Sequence, residues 1–162
     1  IDESENTVFY EPYFYPLDAI DNWNRMYGKK GFTQYQFVIP TTKGFEGMIE
    51  ILEYVVQNGL TSFLSVLKKF GTGAPFLSFP FEGYTLTLDF PVNDELFPKL
   101  HKLDELVLKY EGRIYLAKDA RMPEDVFKAS YPQWNEFLDL KKQVDPNNKF
   151  RSLQSERIGL TY

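Results

Sequence analysis

The chain has 162 residues, a formal net charge of −5 and no cysteine. This length corresponds to one domain, or to one domain and part of a second. The lack of cysteine excludes disulfides, thiolate nucleophiles and cysteine-ligated metals. A single histidine argues against a histidine-based zinc site, and the acidic balance argues against nucleic-acid binding. Aromatic residues make up 17% of the chain, an abundance that indicates rings lining a pocket or contact surface.

The sequence shows no apolar run long enough to span a bilayer and no recognisable signal peptide. The absence of disulfides also speaks against secretion. We therefore expect a cytoplasmic or peripherally membrane-associated protein. The chain begins at Ile1 rather than at methionine, which predicts a fragment or a processed product whose function depends on parts of the polypeptide outside these residues.

The first part of the chain is unusually aromatic. Residues 1–10 are acidic and polar and are expected to fray. Between residues 10 and 27, tyrosine, phenylalanine and tryptophan cluster around two prolines, and Pro16 can begin a short helix that reaches about Met26. The cluster is either an aromatic lid on a core or one wall of a ligand site, and the two alternatives are about equally favoured.

A strand and a helix follow. Residues 33–39 alternate as a strand does, and they place the glutamines Gln34 and Gln36 on the face opposite the larger apolar side chains. Residues 42–57 repeat apolar side chains at helical spacing and predict an amphipathic helix. The apolar residues of this predicted stripe are Phe45, Met48, Ile49, Leu52, Val55 and Val56.

A second strand and a long loop come next. Residues 61–70 predict a strand that places Leu64, Val66 and Lys68 on one face. Residues 71–83 are rich in glycine and proline and contain three phenylalanines. Long loops in compact domains are often functional, and these rings must bury against something: this domain, another domain or a lipid. Peripheral membrane contact through this loop is one expectation.

The remaining strands and helices complete a recognisable order. Residues 84–92 predict a third strand with Thr85 and Thr87 on its polar face, residues 93–110 a second long helix, and residues 112–121 a fourth strand. The order strand, helix, strand, strand, helix, strand is the split βαβ pattern of ferredoxin-like folds. We therefore predict an α+β fold, with an antiparallel sheet that carries both helices on its apolar face.

The opposite face of the predicted sheet collects polar side chains from three strands. They are Gln34, Gln36, Lys68, Thr85, Thr87 and Asp89. One face of an antiparallel sheet is often simply solvated. Glutamines and threonines, however, suit a hydroxyl-rich ligand better than the usual lysine and glutamate surface does, and this composition favours a binding site.

The fourth predicted strand runs into a dense charge cluster that includes Lys118 and Arg121. In the ordinary interpretation this strand end is solvated, and its local ion pairs contribute little. In the functional interpretation it holds Lys118 rigidly at the mouth of a site. Beyond it, residues 123–131 and 133–144 predict two helices and the tail shows no clear period, so we expect a helical return segment that docks on another domain.

Several motifs, taken together, point to a family. They are Tyr15-Pro16-Leu17-Asp18, Trp23-Asn24-Arg25, Gln34-Tyr35-Gln36-Phe37-Val38-Ile39-Pro40, Leu77-Ser78-Phe79-Pro80, Asp89-Phe90-Pro91, Tyr115-Leu116-Ala117-Lys118-Asp119 and Val144-Asp145-Pro146. In this order the chain resembles the C-terminal part of FAD-linked oxidases of the vanillyl-alcohol oxidase superfamily. Within it the nearest likeness is to the decaprenylphosphoryl-β-D-ribose oxidase group, which is related to the aldonolactone oxidases. The resemblance extends over about residues 10–160.

The resemblance implies an architecture and a reaction. FAD would be bound mainly by an N-terminal domain that these residues lack. Residues 1–112 would be the C-terminal part of the substrate-binding domain, and residues 113–162 would return to pack on the FAD-binding domain of the same chain. The reaction would oxidise a sugar secondary alcohol, such as the ribose 2′-hydroxyl of a polyprenylphosphoryl pentose, in an epimerisation completed by an NAD-dependent reductase partner.

Two alternatives remain open at this point. An aldonolactone oxidase is the alternative within the family, and its substrate would be a small lactone rather than a lipid-linked sugar. A free-standing ferredoxin-like module that binds a small polar ligand is the alternative from a different class. The isolated fragment is expected to be inactive under either of the oxidase interpretations, because the flavin site needs the absent domain.

The resemblance also assigns roles to single residues. Lys118 matches the catalytic lysine beside the flavin ring and the substrate, and Tyr115 matches a nearby flavin contact. The positions that match substrate-pocket residues are Gln34, Gln36, Lys68, Thr85, Leu17, Leu64, Val66 and Phe14. Phe14 stands where this group has a tyrosine, and Thr85 where it has an asparagine, and both departures bear on which sugar is accepted. No metal ligands are implied.

Overall fold

An antiparallel sheet is the centre of the computed structural model, which describes residues 7–162. Its strands are β1 (Phe32–Pro40), β2 (Ser65–Phe70), β3 (Gly83–Pro91) and β4 (Arg113–Ile114). They lie in the order β2-β3-β1-β4 with antiparallel neighbours. This order is the one that the split βαβ arrangement requires, so the predicted α+β fold is confirmed.

Helices in the described residues lie within the split βαβ unit and on either side of it. They are α1 (Tyr10–Phe14), α2 (Gly44–Gln57), α3 (Leu96–Lys109), α4 (Glu124–Ser130), α5 (Trp134–Val144) and α6 (Leu153–Arg157). Helix α2 connects β1 to β2, and α3 connects β3 to β4. Short 3₁₀ turns occur at Trp23–Tyr27 and at Leu116–Lys118.

The core lies between one face of the sheet and helices α2 and α3. Alternate residues of β1 and β3 point into it, as the two-residue period of a strand dictates. The buried strand side chains are Tyr35, Phe37, Ile39, Leu86, Leu88 and Phe90. Those from the C-terminal segment that join the same cluster are Met122, Phe127, Tyr131, Ile158 and Leu160. Each such side chain contributes about 1.5–3 kcal/mol of transfer free energy, so the C-terminal segment is anchored firmly on the sheet unit.

Two predicted boundaries near the N-terminus and at β2 were wrong. A helix from Pro16 to Met26 does not form, because Asn22 adopts a left-handed conformation with φ of 55°. Strand β2 begins four residues later than predicted. In the residues before β2, the hydroxyl of Ser62 forms hydrogen bonds where backbone pairing between strands was expected. It donates to the carbonyl of Leu64 at 2.6 Å and accepts from the backbone N–H of Asp89 at 2.9 Å.

The C-terminal part also differs from the prediction in two places. Strand β4 contains only Arg113–Ile114 and gives way to a 3₁₀ turn at Leu116–Lys118. Helix α6 was not predicted, yet Ser152 and Ser155 form a reciprocal capping box at its start. That box has serine in place of the usual glutamate at the third position, so the sequence does not show the usual capping-box pattern.

Helix α2 is oriented differently from its predicted apolar stripe. Its sheet-facing side contains the buried residues Gly44, Gly47, Ile51 and Val55. A Cβ atom at Gly47 would lie 2.9 Å from Ile39 Cδ1 and 2.9 Å from Tyr110 Cγ, so only glycine permits this close approach. Four of the predicted core residues are consequently exposed. We call these four the outer α2 stripe: Phe45, Ile49, Leu52 and Val56.

Candidate functional site

The sheet face opposite α2 and α3 brings the predicted polar residues into rows. Gln36 lies opposite Thr87 on β3, and Thr87 lies opposite Val66 on β2. Thr85 and Lys68 form the neighbouring pair. Residues directly opposite each other in antiparallel strands share a face, so the predicted membership of this face is confirmed for these five positions.

Part of this face is buried rather than solvated. Gln36 and Thr85 are both buried, and Gln36 Nε2 donates to Thr85 Oγ1 at 3.2 Å. Thr87 is half-buried, whereas Lys68 is exposed at the sheet edge. Since a buried amide requires hydrogen-bond partners, the Gln36–Thr85 pair fixes one side of the face, and Gln36 Oε1 can still accept a further hydrogen bond.

Lys118 lies at a narrow cleft beside the first half of β1. The cleft is lined by Gln34, Gln36 and Lys118 among others and encloses about 10 Å³, roughly the space of one water molecule. The side chain of Lys118 is exposed and that of Gln34 is half-buried. Within residues 7–162 neither side chain forms a hydrogen bond or an ion pair. Both are therefore available to a ligand.

The turn that contains Lys118 is held by the next residue, Asp119. Its carboxylate accepts hydrogen bonds from the backbone N–H groups of Arg121 and Met122 at 2.9 and 2.7 Å, and from Arg157 Nη2 at 2.8 Å. The Asp119 side chain is almost fully buried. A carboxylate with three donors is both satisfied and rigid, so it determines the direction in which the chain leaves Lys118.

Arg121 forms the second attachment of this turn. Its guanidinium binds both carboxylate oxygens of Asp104 on α3, at 2.6 and 2.7 Å, and donates to the carbonyl of Leu100. The Arg121 and Asp104 side chains are 11% and 1% exposed. Tyr35 also donates to Asp104 at 2.9 Å, and burial, followed by the Asp104 charge, raises the pKa of Tyr35 well above its ordinary value. The ordinary interpretation of this charge cluster, a solvated strand end, is therefore wrong for Asp119 and Arg121, whereas Lys118 is exposed.

The glycine- and proline-rich loop, residues 71–82, also reaches the polar face. Phe79 is buried, and its ring stacks on Tyr115 with centroids 4.3 Å apart. Arg113 on β4 donates to the carbonyl oxygen of Ser78. The rings of this loop were predicted to bury against this domain, another domain or a lipid. Phe79 is buried against residues of this chain. Membrane contact by the loop stays a prediction.

Asp89 was predicted on the polar face but is completely buried there. The hydroxyl of Tyr27 donates to Asp89 Oδ2 at 3.0 Å, and burial, then this hydrogen bond, raise the pKa of Tyr27 to about 12. Asp89 Oδ1 has no hydrogen-bond partner among the described residues. Alternation along β3 gives the face of Asp89 but not its burial, because the residue that covers it is 62 positions away in the sequence.

The remaining predicted site residues are less closely grouped. Leu64 is half-buried just before β2. Phe14 and Leu17 are exposed in the N-terminal segment, where Phe14 contacts the rings of its neighbours Tyr13 and Tyr15. The structure thus gathers one group around this side of the sheet: Gln34, Gln36, Val66, Lys68, Thr85, Tyr115 and Lys118. It does not bring Phe14 and Leu17 to that group, and their roles stay predictions.

Two further properties concern the whole described region. Residues 7–162 contain no group of three histidine, aspartate or glutamate side chains arranged to hold a metal ion. None of the helices in the same region has both the length and the apolar character that crossing a membrane requires.

The fold and the polar sheet face agree with a family match. The profile of the D-arabinono-1,4-lactone oxidase family matches residues 87–158, from β3 to α6. This region is thus similar to that oxidase family, and the resemblance predicted from the motifs is confirmed.

Individual relatives are similar over nearly the whole chain. The decaprenylphosphoryl-beta-D-ribose oxidase of Mycolicibacterium smegmatis is 41% identical over 150 residues, which are 91% of this chain and 32% of that protein. An uncharacterized protein in the mprA 5′ region of Streptomyces coelicolor is 37% identical over 147 residues, 89% of this chain and 40% of that protein. The chain therefore spans about a third of the first relative and two fifths of the second.

Proposed function

We propose that this chain is the C-terminal, substrate-binding part of an FAD-dependent oxidoreductase that oxidises a secondary alcohol of a polyprenylphosphoryl ribose. The observation that carries the proposal is the grouping of Gln34, Gln36 and Lys118 at one cleft, on a chain 41% identical to a decaprenylphosphoryl-beta-D-ribose oxidase. The product ketone would pass to an NAD-dependent reductase partner.

The glutamines supply the groups that recognise hydroxyls. Gln34 lines the cleft, and its amide has both a donor and an acceptor without a partner among the described residues, while Gln36 retains its carbonyl oxygen as an acceptor after donating to Thr85. A sugar hydroxyl both donates and accepts hydrogen bonds, so it can bridge two such amides. These side chains would orient the ring of the substrate.

Lys68 is suited to the charged end of the substrate. It lies two strands away from Gln36 and two residues along the sheet, so the two Cα atoms are roughly 12 Å apart, from ordinary strand spacing and rise. This separation leaves room for a sugar ring between the glutamines and a phosphate at Lys68. An exposed ammonium can bind such a phosphate as a point charge.

The residues around Lys118 fit the edge of a flavin. Lys118 offers an unengaged ammonium, and Tyr115 offers a ring that is held in place by stacking against Phe79. When bound, FAD supplies the hydride acceptor. Lys118 would donate a hydrogen bond where negative charge develops on an oxygen. The cleft itself encloses only about 10 Å³, so most of the cofactor would be held outside these residues.

The C-terminal segment has a surface suited to a contact with a separate FAD-binding domain. An apolar groove of about 430 Å³ lies among α5, α6 and the residues that join them, and Leu77 of the loop of residues 71–82 also lines it. Three large apolar side chains near it are strongly exposed: Val144, Phe150 and Leu153. Exposed patches of this kind mark interaction surfaces. This supports the proposal that the return segment packs on the FAD-binding domain of the same polypeptide.

A second candidate is an aldonolactone oxidase. The family profile that matches residues 87–158 is that of D-arabinono-1,4-lactone oxidase, and a lactone also offers hydroxyls to Gln34 and Gln36. It carries no phosphate, so Lys68 would have no charged partner in that reaction.

A chimera tests both candidates. Residues 1–162 would replace the matching region of the mycobacterial relative, and the flavin absorbance of the purified protein would be followed without oxygen. We expect polyprenylphosphoryl ribose to bleach the flavin. Bleaching by D-arabinono-1,4-lactone alone would establish the second candidate, and a flavin-loaded chimera that neither compound reduces would contradict the proposal.

Lys118 is the residue on which the proposed chemistry depends most. In the chimera, Lys118→Ala should slow flavin reduction about 10²–10³-fold, as the loss of one preorganised donor to developing charge does. Lys142→Ala, which removes an exposed lysine of α5, is the matched control and should leave the rate unchanged. Equal rates of flavin reduction for the two variants would show that Lys118 takes no part in the reaction.

A further inference from the structure

The outer α2 stripe has the geometry of a helix-packing seam. Its residues follow one another at spacings of four, three and four, the repeat that lines one side of a helix in coiled-coil packing. Phe45 and Val56 are 79% and 76% exposed, and Ile49 and Leu52 are each 43% exposed. Four large apolar side chains in a continuous line differ from the scattered exposed apolar residues that are normal on a protein surface.

The other sides of α2 are already in use. Its glycine-containing side lies on the sheet. A second side packs on α3, where Tyr54 donates to the carbonyl of Lys99 and Lys109 forms an ion pair with Glu50. The outer α2 stripe therefore remains without a covering element in the described part of the chain, and its apolar character is not needed for the contacts that α2 does make.

The open side of α2 is continuous with an open edge of the sheet. Helix α3 contacts β4, so the free flank of α2 lies toward β2, the strand at the opposite end of the sheet. Leu67 on β2 is exposed and lies opposite the buried Leu86, so it faces the helix layer as well. Both layers of the fold thus present apolar side chains toward the same side.

The charges beside the seam indicate which kind of helix it fits. Glu46 and Glu53 lie seven residues apart along one border of the outer α2 stripe and are exposed. Neither forms an ion pair within residues 7–162. Two copies of α2 packed antiparallel would bring Glu46 of one copy beside Glu53 of the other, which is repulsive. Lysine or arginine on the partner helix would instead be attracted.

We propose that the outer α2 stripe binds an amphipathic helix with its own apolar seam and a flank of lysine or arginine. The helix would come from polypeptide beyond these 162 residues, in the additional length that the relatives have. This assignment of the helix to the rest of the polypeptide rests on the proposed function, since it treats the chain as one region of a longer oxidase. The surface lies on the opposite side of the sheet from Lys68 and Gln36, so its binding can be measured without flavin chemistry.

The chemistry of the seam is tested with two synthetic helical probes. Both probes carry leucines at alternating spacings of four and three residues. The leucines are flanked by lysines in one probe and by glutamates in the other. Binding of each probe to the chain is measured by fluorescence anisotropy. The lysine-flanked probe should bind roughly three- to tenfold more tightly, from two exposed charge pairs. The double reversal Glu46→Lys with Glu53→Lys should invert this preference. Equal binding of both probes would overturn the charge assignment.

The location is tested with two exposed valines. Val56→Asp in the outer α2 stripe should abolish binding of both probes, whereas Val8→Asp, at a valine that is 63% exposed near the N-terminus, should leave it unchanged. Both positions are exposed, so both variants should fold, which circular dichroism checks. Unchanged binding by Val56→Asp would place the binding site elsewhere.

The source of the helix is tested with the chimera. If the rest of the oxidase supplies the helix, the chimera should not bind the lysine-flanked probe, whether or not it oxidises a sugar. If the chimera binds the lysine-flanked probe as tightly as the isolated chain does, the rest of the oxidase does not supply the helix. A dimer of the isolated chain that Val56→Asp dissociates, measured by light scattering, would identify a second copy as the occupant and contradict the proposal.

Discussion

At the scale of single residues, the buried ion pair between Arg121 and Asp104 determines where Lys118 lies. Arg121→Met would leave the Asp104 carboxylate buried with the Tyr35 hydroxyl as a partner but without its cation. Removing one member of a buried pair typically costs about 3–5 kcal/mol. We therefore expect a loss of this size in the free energy of unfolding, measured by urea denaturation.

The matched control for that variant is an exposed pair. Lys30 and Asp94 are 2.8 Å apart with both side chains exposed. Exposed ion pairs contribute about 0–1 kcal/mol, so Lys30→Ala should change the free energy of unfolding by no more than that. A similar effect for both variants would show that burial adds nothing to the Arg121–Asp104 pair.

The contact between Tyr27 and Asp89 predicts a pH dependence. The pKa of Tyr27 is raised from 10 to about 12 in the folded state, so the folded protein binds this proton more tightly than the unfolded chain does. The stability that the contact contributes is complete below pH 10 and is lost as pH rises toward 12. Tyr27→Phe should be less stable by about 1–3 kcal/mol at neutral pH.

The measurement is a set of urea denaturation curves between neutral pH and pH 12. Other tyrosines contribute in the same range, so the difference between the wild type and Tyr27→Phe is the quantity to follow. It should be largest below pH 10 and shrink above it. A difference that stays constant across this range would mean that the hydroxyl of Tyr27 is not coupled to the Asp89 carboxylate.

At the scale of elements, the loop of residues 71–82 depends on one glycine. A Cβ atom at Gly73 would collide with the backbone carbonyl oxygen of Pro80, whereas one at Gly71 meets nothing within 4 Å. Gly73→Ala should therefore displace the loop and cost about 1–3 kcal/mol. Gly71→Ala should stay within about 0.5 kcal/mol of the wild type.

Hydrogen exchange distinguishes a displaced loop from a general loss of stability. In Gly73→Ala the backbone N–H of Phe76, which donates to Gln133 Oε1 at 2.9 Å, should exchange faster while the amides of β1 and β3 remain protected. Unchanged protection of Phe76 would show that the loop accommodates the extra methyl group.

Much of the fold followed from periodicity alone. The alternation in β1 and β3 gave the correct faces for Phe37, Leu86 and Leu88, because a strand has only two sides and one of them is apolar here. The order of elements then restricted the topology to a known arrangement. Helix α2 was misread because Gly44 and Gly47 carry no hydrophobic signal, although they form its most closely packed side.

The candidate site was predictable in composition but not in environment. Gln34, Gln36 and Lys68 could be placed on one face by counting residues, and the motifs pointed to Lys118. The burial of Asp89 under Tyr27 and of Asp119 beside Arg157 depends on contacts between residues 62 and 38 positions apart. Local patterns carry no information about such contacts, so the sequence alone favours a solvated position for Asp119 and Arg121.

At the scale of the whole molecule, the isolated chain should not hold a flavin. The cleft beside Lys118 encloses about 10 Å³, and the proposed cofactor contacts are limited to Lys118 and Tyr115. We expect no saturable quenching of FAD fluorescence by residues 1–162 in the micromolar range, while the chimera retains flavin through purification. Micromolar binding by the isolated chain would contradict the proposed division between a substrate region and a separate FAD-binding region.

Strand β2 has a further consequence for work on the isolated chain. It is the end strand of the sheet, and Lys68 and Lys69 are exposed on it. Lysines on an open edge discourage edge-to-edge pairing and aggregation. Lys68→Leu, an obvious variant for testing phosphate recognition, would join Val66 and Leu67 into an apolar edge segment and favour self-association. Lys68→Gln removes the same charge while keeping the edge polar, so it separates lost recognition from precipitation.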